Sequence, residues 1–153
     1  MDPEKLSSGT CPISRGLAMV GDAWSALILR DASRGMTQFD QFRTSLGIAP
    51  NILSRRLKSL TEAGVLEKRR YSERPPRDEY VLTEAGREFI PILAAMGEWG
   101  RRYNGGGTPL SCLVANDTGE QVRAKVIDGI SGRPFGEVSM RLVLPDVDVP
   151  EIS

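Results

Sequence analysis

Four segments of helical periodicity lead into one short stretch of strand texture, and a single long helix follows it. That order leaves few folds open. Ile13, Leu17 and Val20 recur at i, i+4 and i+7 behind Pro12, a residue suited to the first position of a helix. Gly21-Asp22 breaks this segment, and Trp24, Leu27, Ile28 and Ala32 form the core face of a second helix that ends near Gly35. Phe39, Phe42 and Leu46 mark a short third helix closing at Gly47. Pro50 opens a fourth, with Leu53, Leu57 and Leu60 inward and Gly64 as its stop. Residues 65–71 and 79–82 then read as strands. Between them, Ser72-Glu73-Arg74-Pro75-Pro76-Arg77-Asp78 is too polar and proline-rich for anything but an exposed loop. The last helix runs from about residue 83 to 103. Thr83 is its N-cap, and Phe89, Ile92 or Leu93, Met96, Trp99 and Tyr103 form its apolar stripe. Pro91 lies well inside it and predicts a kink near residues 87–91. Helices followed by a hairpin with a basic tip is the order of a winged helix-turn-helix, an α+β fold that is mostly α.

A glycine run, Gly105-Gly106-Gly107-Thr108-Pro109, separates this part from the rest. The reading is a flexible N-terminus at 1–10, a winged helix-turn-helix domain at 11–104, a linker at 105–109 and a small β-rich C-terminal extension at 110–153. Residues 121–126 alternate in strand fashion and 138–143 do so more loosely, with turn residues at 129–136 between them. Some 40 residues is near the lower limit for independent folding. The extension is therefore expected to pack on the main domain or on a partner chain.

Charge repeats the division. The 153 residues carry 20 Lys+Arg against 20 Asp+Glu, a balance that by itself argues against a nucleic-acid partner. By position it does not. Residues 1–104 hold 16 basic and 13 acidic side chains, and residues 105–153 hold 4 and 7. The neutral total is a cancellation between two parts.

There is no histidine. That removes the usual general base and the commonest metal ligand, and two cysteines cannot build an all-cysteine zinc site. No metal, cofactor or catalytic residue is expected. The segment MDPEKLSSGT lacks the apolar core of a signal peptide, and no run approaches the ~18–20 apolar residues of a membrane span. Cys11 and Cys112 lie far apart, which suits a reducing cytosol better than a disulfide framework. A cytoplasmic, non-membrane protein is the expectation.

On a 3.6 period the inward leucines of the fourth helix leave Asn51, Ser54, Arg55 and Lys58 outward, a face of donors suited to phosphates and base edges. Arg56 lies between the two faces, placed to reach a phosphate or to brace the neighbouring helix. A solvated amphipathic helix is the plainer reading of that face alone. The hairpin shifts the balance. Residues 55–77 carry eight basic side chains against three acids, and Arg69, Arg70, Arg74 and Arg77 of the wing extend the positive surface. Phosphate neutralisation by such a surface supplies most non-specific DNA affinity.

The chain also resembles the HxlR family of winged-helix transcriptional regulators. The resemblance begins at Cys11-Pro12-Ile13 and Gly21-Asp22-Ala23-Trp24-Ser25-Ala26-Leu27-Ile28-Leu29-Arg30. It continues through Phe39-Asp40-Gln41-Phe42-Arg43 and Ile48-Ala49-Pro50-Asn51-Ile52-Leu53-Ser54-Arg55-Arg56-Leu57. It is clearest at Pro75-Pro76-Arg77-Asp78-Glu79-Tyr80-Val81-Leu82-Thr83-Glu84-Ala85-Gly86 and ends with Glu98-Trp99, covering about residues 10–103. It implies a homodimer built from the terminal helices, binding double-stranded operator DNA through a recognition helix at 50–63 and a wing at 68–80. Ala49 departs from the family, which usually has a serine cap there; the loss costs the helix roughly 0.5–2 kcal/mol.

Three further features carry two readings each. Cys11, at the N-cap before Pro12, is in related proteins a sensor of oxidants or electrophiles, and is otherwise a cap residue without regulatory duty. Trp24, Phe39, Phe42, Phe89 and Trp99 line an effector pocket or simply form core. In the extension, Asp117-Thr118-Gly119 and Asp128-Gly129-Ile130-Ser131-Gly132-Arg133-Pro134 keep the glycine and proline frame of paired zinc knuckles seen in similar proteins. Thr118, Asp128 and Ser131 stand at the ligand positions, and such a set does not hold tetrahedral zinc. A metal-free ribbon or an unrelated β appendage both fit, and Cys112, outside the knuckle spacing, is expected to be buried. The function expected is a DNA-binding repressor released by a small effector or by thiol modification. The alternatives are a winged-helix protein-interaction module and, more remotely, a Cys11-dependent redox enzyme.

Overall fold

The structure, a computed structural model, describes residues 3–145. Residues 1–2 of the expected N-terminal segment and 146–153 of the expected extension lie outside the described residues. The chain divides into two compact units, Met1–Leu93 and Ala94–Ser153.

In the first unit the elements are α1 (Pro3–Ser8), α2 (Pro12–Val20), α3 (Ala23–Ser33), α4 (Phe39–Leu46), α5 (Pro50–Glu62), β1 (Leu66–Glu73), β2 (Pro76–Leu82) and the start of α6 (Glu84–Asn104). The short α1 falls in the segment expected to be flexible; Pro3 opens it at a position where its missing N–H costs nothing. α4 and α5 are joined by three residues. Gly47 at φ +60 turns the chain in the left-handed region that favours glycine, and Ile48 plugs into the core. This is the helix-turn-helix, with α5 as its second helix.

The core of this unit is one cluster: Ile28 and Leu29 of α3, Phe42 of α4, Ile48, Leu53, Leu57 and Leu60 of α5, and Val65 and Leu66 at the entry to the hairpin. α5 presents its leucines as their spacing requires. α3 does not follow the expected face. Leu29 is fully buried where Leu27 is only partly so, and Trp24 is 36% exposed. The helix is rotated so that Ser25 and Asp31 also turn inward. Polar partners allow this, for Ser25 donates to the Asp22 carboxylate at 3.1 Å (N–H) and 2.5 Å (hydroxyl), and Arg30 holds Asp31 at 2.8 Å.

The hairpin is longer than its sequence suggests. β1 and β2 pair antiparallel from Leu66–Leu82 to Glu73–Pro76, with an irregularity at Tyr71, so most of the expected loop 72–78 is strand and only Arg74-Pro75 turns. Cross-strand charge pairing explains it: Asp78 lies opposite Arg70 and binds it. Beyond β2, the Gly86 N–H donates to Thr83 Oγ1 at 3.2 Å, the cap expected of Thr83. Gly86 itself is buried, and a Cβ there would fall on the Val65 carbonyl. α6 continues through Pro91 to Asn104.

The second unit holds the rest of α6, β3 (Leu113–Val114) paired with β4 (Gln121–Val122), and a single 3-10 turn at Phe135–Glu137. The strand expected at 138–143 does not form, and that at 121–126 shortens to two residues. The sequence alternates there, but beyond the pairing of Gln121–Val122 with β3 neither segment finds a sheet partner, and alternation alone does not make a strand. The fold class holds: mostly helix, small antiparallel hairpins, a winged helix-turn-helix with an extension. Among the described residues no helix is long and apolar enough to cross a membrane.

Candidate nucleic-acid interface

α5 shows Asn51, Ser54, Arg55 and Lys58 on its exposed face, as the period requires. Its N-cap, Ala49, provides no side-chain hydrogen bond; Pro50 removes one orphan donor of the first turn, and the Ile52 N–H donates to the Ala49 carbonyl at 3.0 Å. Arg56 takes the bracing role. Its guanidinium lies 3.3 Å from Asp22, the residue that caps α3, and both side chains are about one-third exposed. This pair ties the recognition helix to the start of α3. Lys58 sits 3.7 Å from Glu62 one turn on, both well exposed, an arrangement that contributes little and opens readily.

The wing is less free than its count of arginines implies. Asp78, on β2, accepts from Arg70 at 2.9 Å and lies 3.1 Å from Lys68, both on β1. The hydrogen bond from Arg70 and then that from Lys68 hold the Asp78 carboxyl below its usual value. Arg69 is held by Glu67 at 2.9 Å. Among the described residues Arg55, Arg74 and Arg77 make no ion pair. The window 55–77 stopped one residue short of Asp78, and Asp78 occupies two of the cations it counted. Register across a hairpin was the signal that would have found it. Asp22 was missed for a different reason, since nothing local says that a helix cap will meet an arginine of another helix.

Cys11 occupies the N-cap of α2 and is exposed. Its sulfur makes no cap hydrogen bond of normal geometry, yet the Ser14 N–H, then the Ser14 hydroxyl and the Ile13 N–H, lower the thiol below its ordinary value. Cys112 is exposed, contrary to expectation, because the second unit offers no interior to bury it. The five aromatics proposed for an effector pocket differ in their surroundings. Phe42 is fully buried, and Phe39 and Phe89 pack against the same core. Trp24 is on the surface, and Trp99, in the second unit, is 64% exposed beside Tyr103 with ring centres 5.8 Å apart.

At the knuckle positions the frame is tied by a carboxylate. Asp128 accepts from the Ser131 hydroxyl, from the Ser131 N–H at 3.1 Å and from the Ile130 N–H at 3.3 Å. Those donors, in that order, hold its carboxyl below the usual value. Gly132, at φ +69, closes the turn. Among the described residues no group of three or more Cys, Asp or Glu is placed to hold a metal.

A profile for HxlR-like helix-turn-helix proteins matches residues 19–106. An uncharacterized HTH-type transcriptional regulator of Mycobacterium tuberculosis is 36% identical over 136 residues, 88% of this chain and 84% of that protein. The crystal structure of PA1607, described as a candidate transcription factor, is 38% identical with a TM-score of 0.80, covering 90% of this chain and 96% of that one. The redox regulator HypR in its oxidized form is 32% identical with a TM-score of 0.57, over 61% of this chain and 98% of that one. With more than half its length matched, and the helix-turn-helix and hairpin in place, the chain belongs to the HxlR-like family of winged helix-turn-helix transcriptional regulators, which are not enzymes.

Proposed function

We propose that this regulator binds a pseudo-palindromic operator as a homodimer, with α5 in the major groove and the wing, residues 68–80, along the flanking backbone. The observation that carries the reading is the set of unpaired cations, Arg55 on α5 and Arg74 and Arg77 at the wing, in a hairpin whose other basic groups are already neutralised. Asn51, Ser54 and Arg55 are assigned to base edges. Arg74 and Arg77 are assigned to phosphates ahead of Arg56, Lys58 and Arg70, each of which must first leave an acid. Two such helices in successive major grooves would stand about 34 Å apart. α2 leaves Ile13 and Leu17 exposed, and α6 leaves Ile92, Met96, Trp99 and Tyr103 so. These are apolar stripes on the terminal helices, of the kind a second copy covers.

The domain division assigned here gives residues 11–104 to DNA binding and dimerisation and residues 110–153 to an appendage joined at 105–109. The regulatory half of the proposal is repression relieved by a small effector or by thiol modification. Cys11, with its lowered thiol, and the likeness to the redox regulator HypR support the thiol route.

Gel shifts with genomic fragments, followed by selection of binding sites from random DNA, test the first half. A selected inverted repeat is the expected result, and absence of any retarded complex would instead favour a winged-helix protein-interaction module. For the second half, diamide treatment should give a disulfide-linked dimer on a non-reducing gel. A Cys11→Ser protein that still gives the band ends the sensor reading.

A further inference from the structure

At the C-terminal end of α6 the second unit contains an open basin of about 560 Å³, lined by Arg101, Arg102 and residues 105–110. No acid is among these lining residues. Arg101 is fixed in place, its Nη2 donating to the Ser111 carbonyl at 2.5 Å. Its Nε is buried and makes no hydrogen bond, and its ion pair with Glu98 one turn back is a long one at 4.0 Å. Among the described residues the Arg102 side chain makes neither ion pair nor hydrogen bond. The rest of the lining is Thr108, Pro109, Leu110 and a run of three glycines that carries no side-chain bulk. Gly106 and Gly107 lie in the left-handed region at φ +62 and +71, a Cβ at either would meet only open space, and Thr108 adds a hydroxyl.

We propose that this basin binds a small molecule bearing a phosphate or carboxylate group, and that it is the effector site of the regulator. Guanidinium groups match such oxyanions with paired, planar donors, and an anchored one loses little freedom on binding. Glycine lets a ligand approach the backbone closely. The volume falls within the range of small-molecule sites, larger than a bare anion needs. The location gives the coupling. The basin is built from the last turn of α6, whose exposed Met96, Trp99 and Tyr103 belong to the stripe assigned to the second copy, so an anion there bears on the dimer. The effector role, unlike the binding itself, rests on the function proposed above.

The test is a titration of the full-length protein with inorganic phosphate, pyrophosphate and citrate, followed through the backbone amide resonances of Gly105, Gly106 and Gly107. Saturable shifts at these glycines are expected. Arg102→Gln should weaken them at least tenfold, and Arg101→Lys, which keeps the charge but loses the fork, should weaken them too. Phosphate and pyrophosphate acting without citrate would assign a phosphoryl ligand, and the reverse a carboxylate. Shifts confined to the wing arginines, or unchanged in Arg102→Gln, would overturn the site. Anion binding here that leaves DNA affinity unaltered would overturn the effector role. A protein that binds no DNA even without anion would refute the proposed function, while the glycine shifts would still decide the site.

Discussion

The two units of this chain handle apolar side chains in opposite ways. In the first, α3, α4, α5 and the base of the hairpin close around nine buried apolar residues. In the second, none of residues 94–145 is buried, and Ile130 and Leu142 are 91% and 86% exposed. What orders the second unit is hydrogen bonding in turns. The Phe135 N–H donates to the Val126 carbonyl at 3.0 Å, the Asp128 N–H to that of Arg133 at 2.8 Å, and the Asp128 carboxylate gathers three donors from Ile130 and Ser131. Turn bonds specify local shape but remove little apolar surface from water, so they are a weak source of stability. The first unit is thus built around one apolar core, and the described part of the extension from local turns that leave its apolar side chains exposed.

The largest test of that contrast is a pair of truncations. Leu57→Ala, at the centre of the core, should destabilise by about 2–5 kcal/mol in urea unfolding. Ile130→Ala in the isolated monomer should change stability by less than about 0.5 kcal/mol. An equal loss from both would mean that the extension has an interior after all. The next test separates the cations within the first unit. Arg55→Ala should cost about 1–3 kcal/mol of discrimination at one operator position, whereas Arg77→Ala should weaken all sequences alike and lower the salt slope by about 1. Quantitative gel shifts at several salt concentrations distinguish the two. If Arg70→Ala proves as costly as Arg77→Ala, Asp78 does not sequester Arg70 when DNA is present.

A gain is expected from Ala49→Ser. It supplies the cap that α5 lacks and should stabilise the protein by about 1 kcal/mol, read as a rise in melting temperature. The smallest effect is set by pH. Asp78 and Asp128 both have carboxyls lowered in the folded protein, so what they contribute is complete above the ordinary carboxylate value and is lost as pH falls through the lower folded one. Acid should therefore loosen the wing pairing and the 128–132 turn while the core resonances stay in place. Amide spectra recorded down to low pH check this, and simultaneous loss of core and turn signals would show that the two units are not independent.

Much of the site was legible because it depends on local period. Leu53, Leu57 and Leu60 face inward, so Asn51, Ser54, Arg55 and Lys58 must face out, whatever α5 packs against. Cys11 at a helix start followed from Pro12. The hairpin tip was less legible, since Ser72–Arg77 pairing and the Asp78 clamp depend on register between two strands. Arg56 could be placed between two roles but not assigned, because Asp22 is more than thirty positions away in the chain.

Sequence alone therefore determined the order of elements from α2 to α6, the family, and the outward face of α5, which depends only on residues within a turn or two of one another. Tertiary structure decided which charges remain available. Eight cations over residues 55–77 look equivalent as a string. Folding brings Asp22 to Arg56 and Asp78 to Arg70 and Lys68, and leaves Arg55, Arg74 and Arg77 without an ion pair among the described residues. It likewise decided that Cys112 and the apolar residues of the extension face outward, because burial needs a partner surface and alternation in a sequence cannot supply one.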